Sequence, residues 1–226
     1  RFIPAIIGVL LVGYALLLGL TGSYVDSPDS ITAVVDHAIL GQAHILGNYN
    51  TDPEGFLSTI PSIAHTLLGF CAGRIILSKQ ALADRIMSLT LMASLLLFTG
   101  YLLQDVCPIN KQLWTSTFTL VSCGYSLLAL VVLTIVVDVR QWRFPRTPFV
   151  EFGINPLVCY LLGEALIIVF KAIHIQGQSI REIGYGMLAN VAGDNSFSSF
   201  LYAAIIVLMV WVCARLMYRR NIVVSL

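Results

Sequence analysis

The sequence predicts an all-α, polytopic membrane helical bundle with six transmembrane helices in this chain, and three observations lead there. Of the 226 residues, 58% are hydrophobic and only 11% are charged, with a mean hydropathy of +0.86, far above that of a soluble globular domain. Several stretches are long and apolar enough to cross about 30 Å of hydrocarbon at 1.5 Å per residue. Basic residues alternate between rich and poor connections, as retention of Lys and Arg on the cytoplasmic side produces. Helix is the only reading for each stretch, because an open strand edge has no hydrogen-bond partners in lipid.

The spans are expected at about 2–20, 58–77, 86–103, 114–137, 153–171 and 198–217. Arg1, the 74–85 turn with Arg74, Lys79 and Arg85, the 138–152 connection with Arg140, Arg143 and Arg146, and the tail with Arg215, Arg219 and Arg220 fall on one side. The other side holds Lys111, Lys171 and Arg181, so ten of the 13 basic residues share the first. Both ends of the chain are therefore expected in the cytoplasm, with 21–57, 104–113 and 172–197 on the periplasmic or lumenal side. Residues 1–226 read as a single transmembrane domain, and 21–57 as a periplasmic loop with a short interfacial helix. The chain opens on Arg1 at the lip of a membrane helix, which leads us to expect a missing N-terminal part.

The first outer loop is long for a connector. Its middle, ITAVVDHAILGQAHIL, has a partial helical period in Ile31, Val34, Val35, Ala38, Ile39 and Ile45. It predicts a short helix at the membrane surface, with Asp36, His37 and His44 on its wetter side or turned toward the bundle. The following Asp-Pro-Glu-Gly is a turn by chemistry: Pro53 presets φ, Asp52 bonds the backbone beyond it, and Gly55 accepts positive φ. Asp52 and Glu54 also suit the positive end of the next helix. In that helix Ser58, Ser62, His65 and Gly69 step by four, three and four onto one face. This face either lines a cavity or lets a neighbouring helix approach closely.

The second outer loop, LLQDVCPINKQLWTS, sets Gln104, Asp105, Asn110 and Lys111 in a tight link. Asn110 is placed to cap the next helix, and Trp114 fits the aromatic belt at the membrane boundary. Lys111 either pairs with the DPEG carboxylates, binds an anionic group or snorkels. Thr115, Thr119, Ser122 and Ser126 share a face suited to helix packing. In the fifth helix Glu164 lies about seven residues, roughly 10 Å, inside the outer end. It must be protonated, paired or wet, with Tyr160 and Lys171 as its natural local partners. Asn155 falls on the opposite face. The last outer segment, 172–197, reads as an interfacial helix followed by a loop.

Cys71, Cys123, Cys159 and Cys213 fall in membrane helices, and Cys107 lies outside without an evident partner, so no disulfide framework is implied. No metal-ligand spacing, phosphate-cradling loop, nucleic-acid-binding stripe or fixed repeat is apparent. The expected surroundings are the lipid bilayer, with no nucleic acid and a possible homo-oligomer.

The blocks DPEGFLSTIPSI, CPINKQLWTSTF and INPLVCYLLGE, in that order and followed by the tail LMYRRNIV, resemble a family of membrane acyltransferases. The family includes the lysosomal heparan-α-glucosaminide N-acetyltransferase and its bacterial relatives, and the likeness runs from about Asp36 to the tail. It implies a larger bundle of about ten or eleven crossings, in a bacterial inner membrane here. It also implies transfer of an acetyl group from acetyl-CoA, a co-substrate with no metal required, to the amino group of a hexosamine. By motif position, His44, Asp52, Glu54, Asn110, Lys111, Trp114, Asn155 and Glu164 are candidate site-lining residues, and the face analysis adds His65. The family's catalytic histidine lies ahead of the first helix here, so the resemblance assigns no catalytic residue in this chain, and His65 is not its equivalent. Two other classes fit the same residues: an amino-sugar transporter or permease component using intramembrane acid and histidine for proton relay, and a non-catalytic scaffold subunit.

Overall fold

The computed structural model describes residues 2–46, 49–141 and 147–224. Arg143 and Arg146, which enter the orientation count, lie outside the described residues, as does Arg1. The elements are α1 (Ile3–Leu20), α2 (Ile31–Ile39), a 3₁₀ turn (Gln42–His44), α3 (Thr59–Ile76), α4 (Leu82–Leu102), α5 (Ser116–Thr134), α6 (Thr147–Ile154), α7 (Pro156–Ala172), a two-residue hairpin of β1 (His174–Ile175) and β2 (Gln178–Ser179), α8 (Ile180–Ala192) and α9 (Ser196–Arg219). A π turn, Ile135–Val139, extends α5. Among the described residues, α1, α3, α4, α5 with its extension, and α9 are each long and apolar enough to cross a membrane. The protein is an all-α polytopic membrane protein.

The expected span at 153–171 is not one helix. α6 and α7 meet at Asn155 with a bend of 89°, so together they are a broken span or a re-entrant loop. The cause is local: Pro156 at the first position of α7 has no N–H to continue α6, and it forces Asn155 to φ −129°, ψ 58°. Reading the apolar run straight through Asn-Pro missed this.

The chain divides into two compact units, Arg1–Trp142 and Arg143–Leu226. In the first, Ile7 and Leu11 of α1, Ala64 and Leu68 of α3 and Cys123 of α5 form one core cluster. Ala72, Leu89, Ala93, Leu127 and Val131 join α3, α4 and α5 in another. α4 and α5 approach closely because glycines face their partners: a Cβ on Gly124 would lie 2.6 Å from Leu97 Cγ, and one on Gly100 2.6 Å from Val121 Cγ2. In the second unit Cys159 of α7 packs on Val210 and Ala214 of α9, with Phe152 of α6 against them. Glu151 of α6 is buried and lies 4.0 Å from Arg215 of α9, the only ion pair among the described residues.

Of the two placements open to Asp36, α2 adopts the one turned toward the bundle. Thr32, Ala33 and Asp36 are buried, whereas Val34 and Ile39 are exposed. For a helix at a membrane surface this is the stable arrangement, since the apolar side meets lipid while the polar side is satisfied within the protein. Ser30 caps it, its Oγ accepting from Ala33 N at 3.2 Å.

Candidate functional site

The DPEG turn is held from outside itself. Asp36 of α2 accepts the N–H of Asp52 at 3.1 Å through Oδ2 and that of Phe56 at 2.8 Å through Oδ1. A Cβ on Gly55 would overlap the Asp36 carboxylate, so this position needs glycine for space, not for positive φ. Burial pushes the Asp36 carboxyl up, against the opposing pull of the two N–H donors. Asp52 bonds the backbone on both sides, its Oδ1 accepting from Glu54 N at 2.8 Å and its Oδ2 from Leu46 N at 2.9 Å. Its carboxylate is thus spent on the turn and does not cap α3. Asp26 holds the approach, accepting from Asn50 N and Thr51 N. Glu54 is exposed.

The second outer loop is closed in the same manner. Asn110 does not cap α5. Its Oδ1 accepts from Gln112 N at 2.8 Å and so caps the single turn before the helix, while Thr115 is the N-cap of α5. Tyr14 Oη donates to the Leu113 carbonyl at 2.6 Å and Ser116 Oγ to the Leu11 carbonyl at 2.7 Å, fastening α1 to the loop. Between these anchors Trp114 has φ 50°, a left-handed conformation that is an outlier for so bulky a residue. The strain aims its ring at His65 of α3, 6.0 Å away between centroids, with Phe118 edge-on at 5.2 Å.

The two loops meet. Tyr14, Asp36, Asp52, Gly55, Gln112 and Leu113 line one closed crevice. Three buried nitrogens in this region, His65 Nδ1, Gln112 Nε2 and Trp114 Nε1, have no hydrogen-bond partner among the described residues. From His65 a groove of about 300 Å³ runs between α3 and α5 past Gly69, Ala72 and Gly73 on one side and Cys123, Ser126 and Leu127 on the other. The cavity face read from Ser62, His65 and Gly69 is thus open at His65 and Gly69, while Ser58 and Ser62 turn back onto the Gly55 and Ser58 carbonyls. Thr115 and Thr119 are fully buried, and Ser122 and Ser126 bond the preceding turn of α5.

The structure brings Asp52, Asn110, Trp114 and His65 into one neighbourhood. Lys111 is exposed and pairs with no carboxylate among the described residues. His44 is exposed, with Nδ1 2.9 Å from the Leu40 carbonyl oxygen. In the second unit Asn155 is buried and tethers the tail: its Nδ2 donates to the Ile222 carbonyl at 2.9 Å and its Oδ1 accepts from Val224 N at 2.8 Å. Glu164 is exposed on α7 and bonds neither Tyr160 nor Lys171 among the described residues. The sequence reading gave no role to Gln112 or Tyr14. Both fall in or beside otherwise apolar runs, and a polar residue there was the available signal.

Comparison with known proteins supports the motif reading. The chain is 26% identical to human heparan-alpha-glucosaminide N-acetyltransferase over 223 residues, covering 91% of this chain and 31% of the relative. It is 30% identical to the mouse protein of the same name over 167 residues, covering 66% of this chain and 25% of the relative. The chain is similar to heparan-alpha-glucosaminide N-acetyltransferases. It spans about a third or less of the length of these curated relatives, and no protein-family model matches it. The likeness to these N-acetyltransferases extends over most of the chain and thus takes in both units. Among the described residues, no three or more His, Cys, Asp or Glu side chains gather as metal ligands do.

Proposed function

We propose that this chain is part of a membrane N-acyltransferase that moves an acetyl group from acetyl-CoA to the amino group of a hexosamine. The observation that carries the reading is the convergence of the DPEG turn and the second outer loop, two of the blocks that bear the family likeness, around Trp114 and His65. In the reaction the amine nitrogen attacks the thioester carbonyl, the amide bond forms as the C–S bond breaks, the amine loses a proton, and the thiol of CoA leaves. Such a site needs a base for that proton, donors for the developing oxyanion and walls that exclude water. Trp114 and His65 supply a wall with two unpartnered ring nitrogens, Trp114 Nε1–H to donate and His65 Nδ1 to donate or accept according to its tautomer. Lys111, exposed at the loop, is a donor for an anionic group of either substrate, and Glu164 of the second unit is a candidate by the resemblance alone. By the resemblance, the family's catalytic histidine lies ahead of the first helix of this chain. The residues here are therefore assigned to positioning rather than to acyl transfer itself.

We further place the protein in a bacterial inner membrane, with the DPEG turn and the second outer loop on the periplasmic face and the basic 74–85 turn and tail in the cytoplasm. Membranes containing the full-length protein should transfer labelled acetyl from acetyl-CoA to glucosamine. Trp114→Ala and Glu164→Gln should each reduce transfer about tenfold or more, the scale of a lost positioning contact, at equal expression. If both variants retain full transfer, the site assignment is wrong. Absence of transfer together with uptake of glucosamine driven by a proton gradient would make the protein a transporter.

A further inference from the structure

Within the second unit the end of α7, the start of α8 and the first turns of α9 enclose a recess of about 620 Å³. Its lining is polar and aromatic, and its two cations are Lys171 and Arg181. Neither forms an ion pair among the described residues. The single carboxylate on the lining, Glu182, is already engaged in a capping box: its Oε2 accepts from Ser179 N at 2.8 Å, while Ser179 Oγ accepts from Glu182 N at 3.2 Å. The recess therefore sets two cations against one carboxylate that is shared with a backbone N–H, an excess of positive charge.

Lys171 lies in the last turn of α7, where a cation meets the negative end of the helix. Arg181 lies in the first turn of α8, the positive end, where only the neighbouring Glu182 carboxylate, already bonded to Ser179 N, offsets it. The remaining wall suits an oxygen-rich ligand. Tyr185 and Tyr202 stand edge to face at 6.4 Å, and Tyr185 is held by its hydroxyl donating to Asp194 at 2.5 Å. Ser199 adds a hydroxyl. α9 is long and apolar enough to cross a membrane and α7 is the longer half of a bent apolar pair, and a connection between them set at a membrane boundary lies where lipid phosphates do.

We infer that this recess binds a phosphate group through Lys171 and Arg181, carried by a phospholipid headgroup or a soluble phosphate ester. The recess shares no lining residue with the groove at His65, and the inference does not depend on acyl transfer. Two arms of one experiment distinguish the sources. In the first, the full-length protein is reconstituted in nanodiscs of phosphatidylcholine with phosphatidylglycerol, and retained phosphatidylglycerol is counted by native mass spectrometry. In the second, melting is followed in uncharged, lipid-free detergent with inorganic phosphate or glycerol 3-phosphate added. Retention of phosphatidylglycerol that falls about tenfold in Lys171→Ala/Arg181→Ala identifies a lipid site. A rise in melting temperature with phosphate, lost in the same variant, identifies a soluble ligand. Lys171→Arg/Arg181→Lys should keep either signal. If neither signal distinguishes the wild type from a variant with unchanged circular dichroism and elution, the inference fails, and Arg181→Gln alone serves where the double variant does not fold.

Discussion

Asp36 takes two backbone N–H groups of the DPEG region while sealed from solvent, and the balance between those facts is measurable. Burial raises its pKa, so folding favours the neutral carboxyl. Its contribution to stability is therefore full below the unfolded value of about 3.9 and is lost as pH rises through the raised folded value. Hydrogen exchange of the loop around Asp52 and Phe56 should show this slope in the wild type, and Asp36→Asn, which does not titrate, should flatten it. Gly55→Ala drives a methyl into the same carboxylate. It should cost about 1–3 kcal/mol, as overpacking of a filled site does, seen as a lower melting temperature and faster proteolysis of the outer loop. The sequence indicated Asp52, Pro53 and Gly55 as a turn, and that much was legible because turn chemistry is local. What was not legible was that Asp36, 16 positions earlier, grips the turn, because a lone acid in an amphipathic stretch reads as solvated. Asn110 went the same way: its capping role is real, but it serves the turn before Thr115, and two capping residues five positions apart cannot be told apart by type.

At the level of elements, the apolar runs located five spans to within a few residues, since length and hydropathy are what the bilayer itself selects. The fifth expected span is carried by α7 over most of its length, but its break from α6 lies where hydropathy carries no information, at the missing N–H of Pro156. Asn155 at that break is tied to the tail through the Ile222 carbonyl and Val224 N. Asn155→Ala should release residues 222–224, which then exchange their amide hydrogens faster by at least tenfold, on the scale of two lost buried hydrogen bonds of about 1 kcal/mol each. The rest of α7 should keep its wild-type exchange. In the first unit Gly124→Leu should separate α4 from α5, because Leu97 already occupies the space a side chain would need. A fall in melting temperature without loss of helical signal would match that expectation, and unchanged melting would contradict it.

For the molecule as a whole, the alternation of basic residues predicts which connections share a side. Single cysteines placed at Glu54, Asp105 and Gln178 should react with an impermeant thiol reagent added outside sealed cells, and one at Gln80 should not, in a background where native thiols are replaced. The reverse pattern would invert the topology. The overall class was legible from composition alone. The meeting of the DPEG turn with the second outer loop was not, because it is made by side chains more than fifty positions apart. One of the fastenings has a further meaning for biogenesis. Tyr14 and its acceptor carbonyl at Leu113 are separated by 99 positions, which a ribosome covers in about 5–20 s at 5–20 residues per second. During that interval α1 is already in the bilayer with a phenol hydroxyl that lacks its final acceptor. The closing of α1 onto its loop thus waits on residues made much later, and nascent chains stalled before Leu113 should leave it open to chaperones, insertases and quality-control proteases until the loop arrives.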